Sequence, residues 1–126
     1  MMSEANRTYP LKVLVVDDDE GIRSVMAAML DDRGYDVRVV DITEAHAVVS
    51  ADWAPDVALV DLAMPGEDGS EYATWLKGVL PETRIVIYSA QPDTGRFARL
   101  VQEIGADAWL DKPFELHALY AKIEEH

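Results

Sequence analysis

The sequence predicts one α/β domain built on a parallel sheet with helices on both faces. Three observations carry this. Short apolar runs alternate with helical stripes along the chain, and the first run, LKVLVV, looks like a buried parallel strand. Acids or small polar residues also stand where several of the runs stop.

The elements follow in order. Leu11–Val16 (LKVLVV), stopped by acids, is the first strand. Ile22, Val25, Met26, Met29 and Leu30 then recur at i, i+3, i+4, i+7 and i+8, one stripe of a helix closed by Gly34. Asp36–Val40 is the second strand, and Thr43 is the expected N-cap of a helix carrying Ala45, Val48 and Val49. Val57–Asp61 is the third strand. After the loop Leu62–Gly69, the residues Tyr72, Trp75, Leu76 and Val79 mark the third helix. Arg84–Ser89 is the fourth strand, followed by a stripe of Phe97, Leu100, Val101 and Ile104 that ends at Gly105. Asp107–Asp111 is the fifth strand, and Leu116, Leu119, Tyr120 and Ile123 form the last helix. Right-handed crossovers bring all strand C-termini to one edge, where open sheets of this kind bind ligands. Residues 1–10 read as an N-terminal extension and 11–126 as the domain, with no repeat or linker.

Composition narrows the function. The 126 residues include 24 acidic and 11 basic side chains, a net charge of −13. A chain of this size buries about two thirds of its unfolded surface and needs no covalent staple. The absence of cysteine excludes disulfides, a thiolate nucleophile and Cys-ligated metal. The acidic excess opposes nucleic acid and anionic membranes, because each phosphate contact needs a Lys or Arg. No apolar run approaches the roughly 18 residues of a membrane span. The segment MMSEANRTYP has no signal-peptide core, so a cytoplasmic location is expected.

The chemistry gathers at the strand ends. The first strand stops at Asp17, Asp18, Asp19 and Glu20, the third at Asp61, the fourth at Ser89-Ala90 and the fifth at Asp111-Lys112-Pro113. Adjacent strands lie about 4.8 Å apart, so Asp17, Asp18 and Asp61 are expected to crowd one pocket. Two like charges 4 Å apart repel by about 4 kcal/mol at an effective dielectric near 20. Lys112 supplies one offsetting charge, and an all-oxygen ligand set favours Mg²⁺ with waters over a calcium cage. A carboxylate held beside a lysine and a divalent cation is a candidate nucleophile towards phosphorus. Ser89 would then donate to a phosphoryl oxygen.

The segments VLVVDDDEGIR, PDVALVDLAMPGEDG, IVIYSA and GADAWLDKPF resemble the receiver domain of bacterial response regulators, from about Lys12 to Glu124. The resemblance implies a flavodoxin-like fold, a doubly wound (βα)5 sheet of strand order 2-1-3-4-5. It implies that Asp61 is the phosphoacceptor, and that Asp17, Asp18, Asp61 and the backbone carbonyl of Ala63 hold Mg²⁺, with Mn²⁺ as the alternative ion. Ser89, Ala90 and Lys112 would bind the phosphoryl group, across an expected cis bond between Lys112 and Pro113. Ala63 and Gln91 stand where the family varies its phosphoryl lifetime. Trp109 takes the place of the family's switch aromatic, usually Tyr or Phe; the alternative is a static core side chain. The implied partner is a sensor histidine kinase or a histidine phosphotransfer protein. Signalling would pass through the face of helix four, strand five and helix five, which is also the expected homodimer surface.

Other residues have plainer readings. Asp19 reads as a capping acid, Trp53 and Trp75 as packing residues, and His46, His117 and His126 lack metal-ligand spacing. Two rival functions stand beside a phosphorylated signalling domain that is not an enzyme in its own right. One is a degenerate receiver acting as a constitutive interaction module. The other is a D-x-D phosphatase, against which Gly21 stands where that motif wants Thr or Val. The last residues, Glu124-Glu125-His126, fit either a stand-alone receiver or one followed by an unknown output domain.

Overall fold

The computed structural model describes residues 10–62, 69–89, 94–111 and 115–124. Strands and helices alternate as β1 (Lys12–Val16), α1 (Glu20–Asp32), β2 (Asp36–Val40), α2 (Ala45–Val48), β3 (Val57–Asp61), α3 (Gly69–Val79), β4 (Arg84–Ser89), α4 (Thr94–Ile104), β5 (Ala108–Asp111) and α5 (Leu116–Glu124). All neighbouring strands are parallel, in the order β2-β1-β3-β4-β5. The parallel sheet is the one expected from the strand–helix alternation, and its order is the doubly wound, flavodoxin-like one that the resemblance implies.

The inner stretches of the central strands, Val13–Val16, Val57–Val60 and Ile85–Ile87, are apolar because each face of the sheet is covered. Successive side chains of a strand point to opposite faces. Leu14, Val16, Ala58, Val60, Ile85 and Ile87 therefore pack with Tyr72, Ala73 and Leu76 of α3 on one side. Val13, Val15, Leu59, Val86 and Tyr88 pack with Met26 and Leu30 of α1 and Leu119 and Ile123 of α5 on the other.

Local chemistry sets the ends of α1. Asp19 is its N-cap, its Oδ1 accepting from the Ile22 N–H at 3.1 Å, as expected of a capping acid. At the other end Gly34 adopts φ 97°, where a Cβ would be strained. The Gly34 N–H donates to the Asp31 carbonyl and the Tyr35 N–H to that of Leu30, which closes the last turn.

Five residues depart from expectation. Val25 lies on the α1 stripe by spacing yet is 57% exposed. At about 100° per residue it trails Ile22 by about 60°, whereas Met26 and Leu30 lead it, so the buried arc turns away from Val25. Val79 and Leu116, at the end of α3 and the start of α5, likewise face outward. Thr43 does not cap α2: Asp41 Oδ1 instead accepts from the Thr43 and Glu44 N–H groups and the Thr43 hydroxyl, and the helix has only four residues. Asp107 stands outside β5 because its carboxylate is turned back to the Ile85 N–H and the Lys77 ammonium.

Candidate functional site

The strand ladders bring distant parts of the chain to one edge. Val16 pairs with Val60, Asp61 with Tyr88, and Ser89 with Asp111. Asp17, one residue past Val16, thus stands beside Asp61, and Ser89 follows Tyr88 on the next strand. Asp17, Asp61 and Ser89 are 1%, 5% and 5% exposed, the buried polar residues at this end of the sheet.

Asp17 is held from several directions. Its N–H donates to the Val40 carbonyl at 3.1 Å, and its own carbonyl accepts from Arg23 Nη1 at 2.6 Å. Its Oδ1 accepts from the Asp19 N–H at 2.9 Å and its Oδ2 from the Tyr88 hydroxyl at 2.7 Å. Burial, then the charge and hydrogen bond of Asp17, then the charge of Asp61 push the Tyr88 phenol well above its ordinary range. The phenol therefore stays a neutral donor, and both carboxylates lie close enough to act on it.

Asp18, next to Asp17 at the end of β1, carries a contact of its own. Its Oδ1 accepts from the Ile42 N–H at 3.2 Å, so it tethers the β2–α2 turn. Among the described residues, no three His, Cys, Asp or Glu side chains converge as a ready-made metal cage. The donor set at this edge is nonetheless all oxygen, with two buried carboxylates on adjacent strands. Mg²⁺ suits such a set, since it usually binds through one or two carboxylates and keeps several waters.

The backbone of Asp61 is packed closely. A Cβ added to Gly69 would lie 2.2 Å from the Asp61 carbonyl oxygen, so the start of α3 lies against the end of β3 only because residue 69 has no side chain. Trp109, read as the switch aromatic with a static core side chain as the alternative, is 36% exposed. The expected positions Ala63, Ala90, Lys112 and Pro113, with the cis bond, lie outside the described residues.

Two side-chain choices at the site were missed by sequence reasoning. Tyr88 stands inside an apolar strand run and reads there as core, and Gly69 reads as the end of a loop. Trp53 and Trp75 pack as expected, Trp75 partly buried against the core. Trp53 is buried, with Nε1 donating to Asp36 Oδ2 and the Arg38 guanidinium over its ring. His46 packs against Tyr72 and Trp75.

A family model described as the response regulator receiver domain matches residues 13–124. The DNA-binding transcriptional regulator NtrC of Azospirillum brasilense is 35% identical over 112 residues, 89% of this chain and 23% of that protein. Response regulator MprA of Mycobacterium tuberculosis is 35% identical over 115 residues, 90% of this chain and 49% of that protein. The chain thus spans about half the length of MprA and less of NtrC. A crystal structure of a response regulator from Burkholderia pseudomallei, with a phosphorylated aspartic acid, calcium ion and citrate, matches with a TM-score of 0.82. It is 27% identical, over 91% of this chain and 67% of that one.

Proposed function

The chain belongs to the response regulator receiver family, and from that membership we propose that it accepts a phosphoryl group on Asp61 and converts it into a change of protein binding. The observation that carries this reading is the placing of Asp61. It is a buried carboxylate at the C-terminal end of the central strand, beside Asp17 of one neighbour and the Tyr88-Ser89 end of the other. The Burkholderia structure, with its phosphorylated aspartic acid and divalent ion, is consistent with it.

In the proposed step an Asp61 carboxylate oxygen attacks the phosphorus of a phosphohistidine. The P–O bond forms as the P–N bond breaks, and the imidazole nitrogen leaves with the electron pair and takes a proton. A small acyl phosphate can stand in for the protein donor. Asp17, Asp18, Asp61 and the Ala63 carbonyl are the proposed oxygen set for Mg²⁺, which when bound supplies positive charge opposite the phosphoryl oxygens. The Ser89 hydroxyl, the backbone at Ala90 and the Lys112 ammonium are assigned to those oxygens. The new phosphoryl group adds about −1.5 to −2 charges, and groups that follow it bias a two-state equilibrium. Trp109 is assigned to that output because it stands exposed on the edge strand β5. The donor is a sensor histidine kinase or histidine phosphotransfer protein, and the output is a binding event.

Intact mass after incubation with a small acyl phosphate and Mg²⁺ tests the reading. A single phosphoryl adduct is expected on the wild type, and none on Asp61→Asn or after chelation. An adduct of equal yield on Asp61→Asn overturns the assignment.

A further inference from the structure

Asp17 is a carboxylate almost closed to water, at 1% exposure, and a hydrogen-bond donor reaches each of its oxygens. The donor on Oδ1 is the Asp19 N–H, a backbone group that any sequence could supply there. The donor on Oδ2 depends on one side-chain choice. Tyr88 is 1% exposed and lies in an otherwise apolar layer with Val86, Leu110, Met26 and Leu119. An aliphatic residue or phenylalanine would suit that layer without bringing a hydroxyl into it. Burying a phenol is costly unless its hydroxyl is hydrogen-bonded, and here it bonds to a charged acceptor 71 residues away in sequence.

We propose that Tyr88 is a positioning residue that stabilises the metal-free form of the acidic site and thereby loosens its hold on a divalent cation. The inference rests on the reading of Asp17 as part of a Mg²⁺ site. A donor hydrogen bond and a cation both draw on the negative charge of the same carboxylate, so each weakens the other's grip. Whatever stabilises the empty state relative to the loaded one lowers affinity by the same free energy. The orientation of Asp17 does not depend on the phenol alone, because the Asp19 N–H fixes the other oxygen. Tyr88 thus keeps metal occupancy responsive to the Mg²⁺ concentration.

The test compares wild type with Tyr88→Phe by calorimetric Mg²⁺ titration and by urea unfolding with and without Mg²⁺. Tyr88→Phe is expected to be less stable without metal and to bind Mg²⁺ about tenfold more tightly, a change of about 1.4 kcal/mol. Saturating Mg²⁺ is expected to narrow the stability gap, which a packing defect would leave unchanged. Unchanged or weaker binding by a folded Tyr88→Phe overturns the proposal. The same substitution in an Asp17→Asn background separates charge from packing. The cost of removing the hydroxyl should shrink there, and a cost of full size also overturns it. A wild type that binds no Mg²⁺ removes the metal-site reading itself. A wild type that binds Mg²⁺ no more weakly than Tyr88→Phe removes only the role given to Tyr88.

Discussion

At Gly69 the first residue of α3 lies against the backbone that carries Asp61. A Cβ there would be 2.2 Å from the Asp61 carbonyl oxygen and 3.1 Å from both the Asp61 carbonyl carbon and Leu62 Cα. Carbon and oxygen rest about 3.3–3.6 Å apart even in a favourable C–H···O contact, so helix and strand end would have to part by about 1 Å. The obstacle cannot swing away as a side chain would. It is main chain tied into the sheet, where the Leu62 N–H donates to the Tyr88 carbonyl at 2.9 Å. Overpacking of this kind costs about 1–3 kcal/mol, and the preference of a helix for Ala over Gly returns at most about 1 kcal/mol. Gly69→Ala should therefore lose about 1–2 kcal/mol, read as a lower urea midpoint with an unchanged slope. Gly78→Ala is the control in the same helix. Nothing lies within 4 Å of its added Cβ, so it should gain about 0.5–1 kcal/mol. Gly69→Ala with wild-type stability would refute the claim that close backbone approach sets this residue.

Asp19→Ala should cost about 1 kcal/mol in urea unfolding through loss of the α1 cap, and Asp19→Asn should restore most of it. Thr83 is buried, with its hydroxyl donating to the Pro55 carbonyl at 2.7 Å. Thr83→Val should cost about 1–2 kcal/mol by denaturation, and Thr83→Ser should recover the hydrogen bond. Hydrogen bonds from Arg33 and then Tyr35 hold Glu124 below the usual carboxylate range. The folded state thus binds that proton less readily than the unfolded one. The stability contributed is full at neutral pH and is lost as pH falls through the carboxylate range. Tyr35→Phe should lower stability by about 0.5–1 kcal/mol at pH 7, less than a buried charged bond because the pair is partly solvated. Repeating the unfolding series at acidic pH should shrink that difference; a difference that grows would contradict the assignment.

Much of the fold is written locally. The strands Asp36–Val40, Val57–Asp61 and Arg84–Ser89 fall at their expected bounds. The inner strands β3 and β4 are buried on both faces and read as nearly unbroken apolar runs, whereas the edge strand β2 keeps Asp36 and Arg38 in water. That Asp17, Asp61 and Ser89 would meet was legible because each ends a strand, and parallel crossovers place those ends together. Which neighbour each side chain meets was decided only by tertiary packing. Asp18 turns to the Ile42 N–H, Asp107 to the Ile85 N–H, and Val25 falls off the buried arc of α1. Tyr88 and Gly69 are the clearest cases. Locally one is a strand residue and the other a loop glycine, and their roles exist only because β1, β3, β4 and α3 converge on Asp17 and Asp61. Periodicity is a property of neighbours along the chain, whereas hydrogen-bond partners and close approaches depend on surfaces that meet only after the chain has folded.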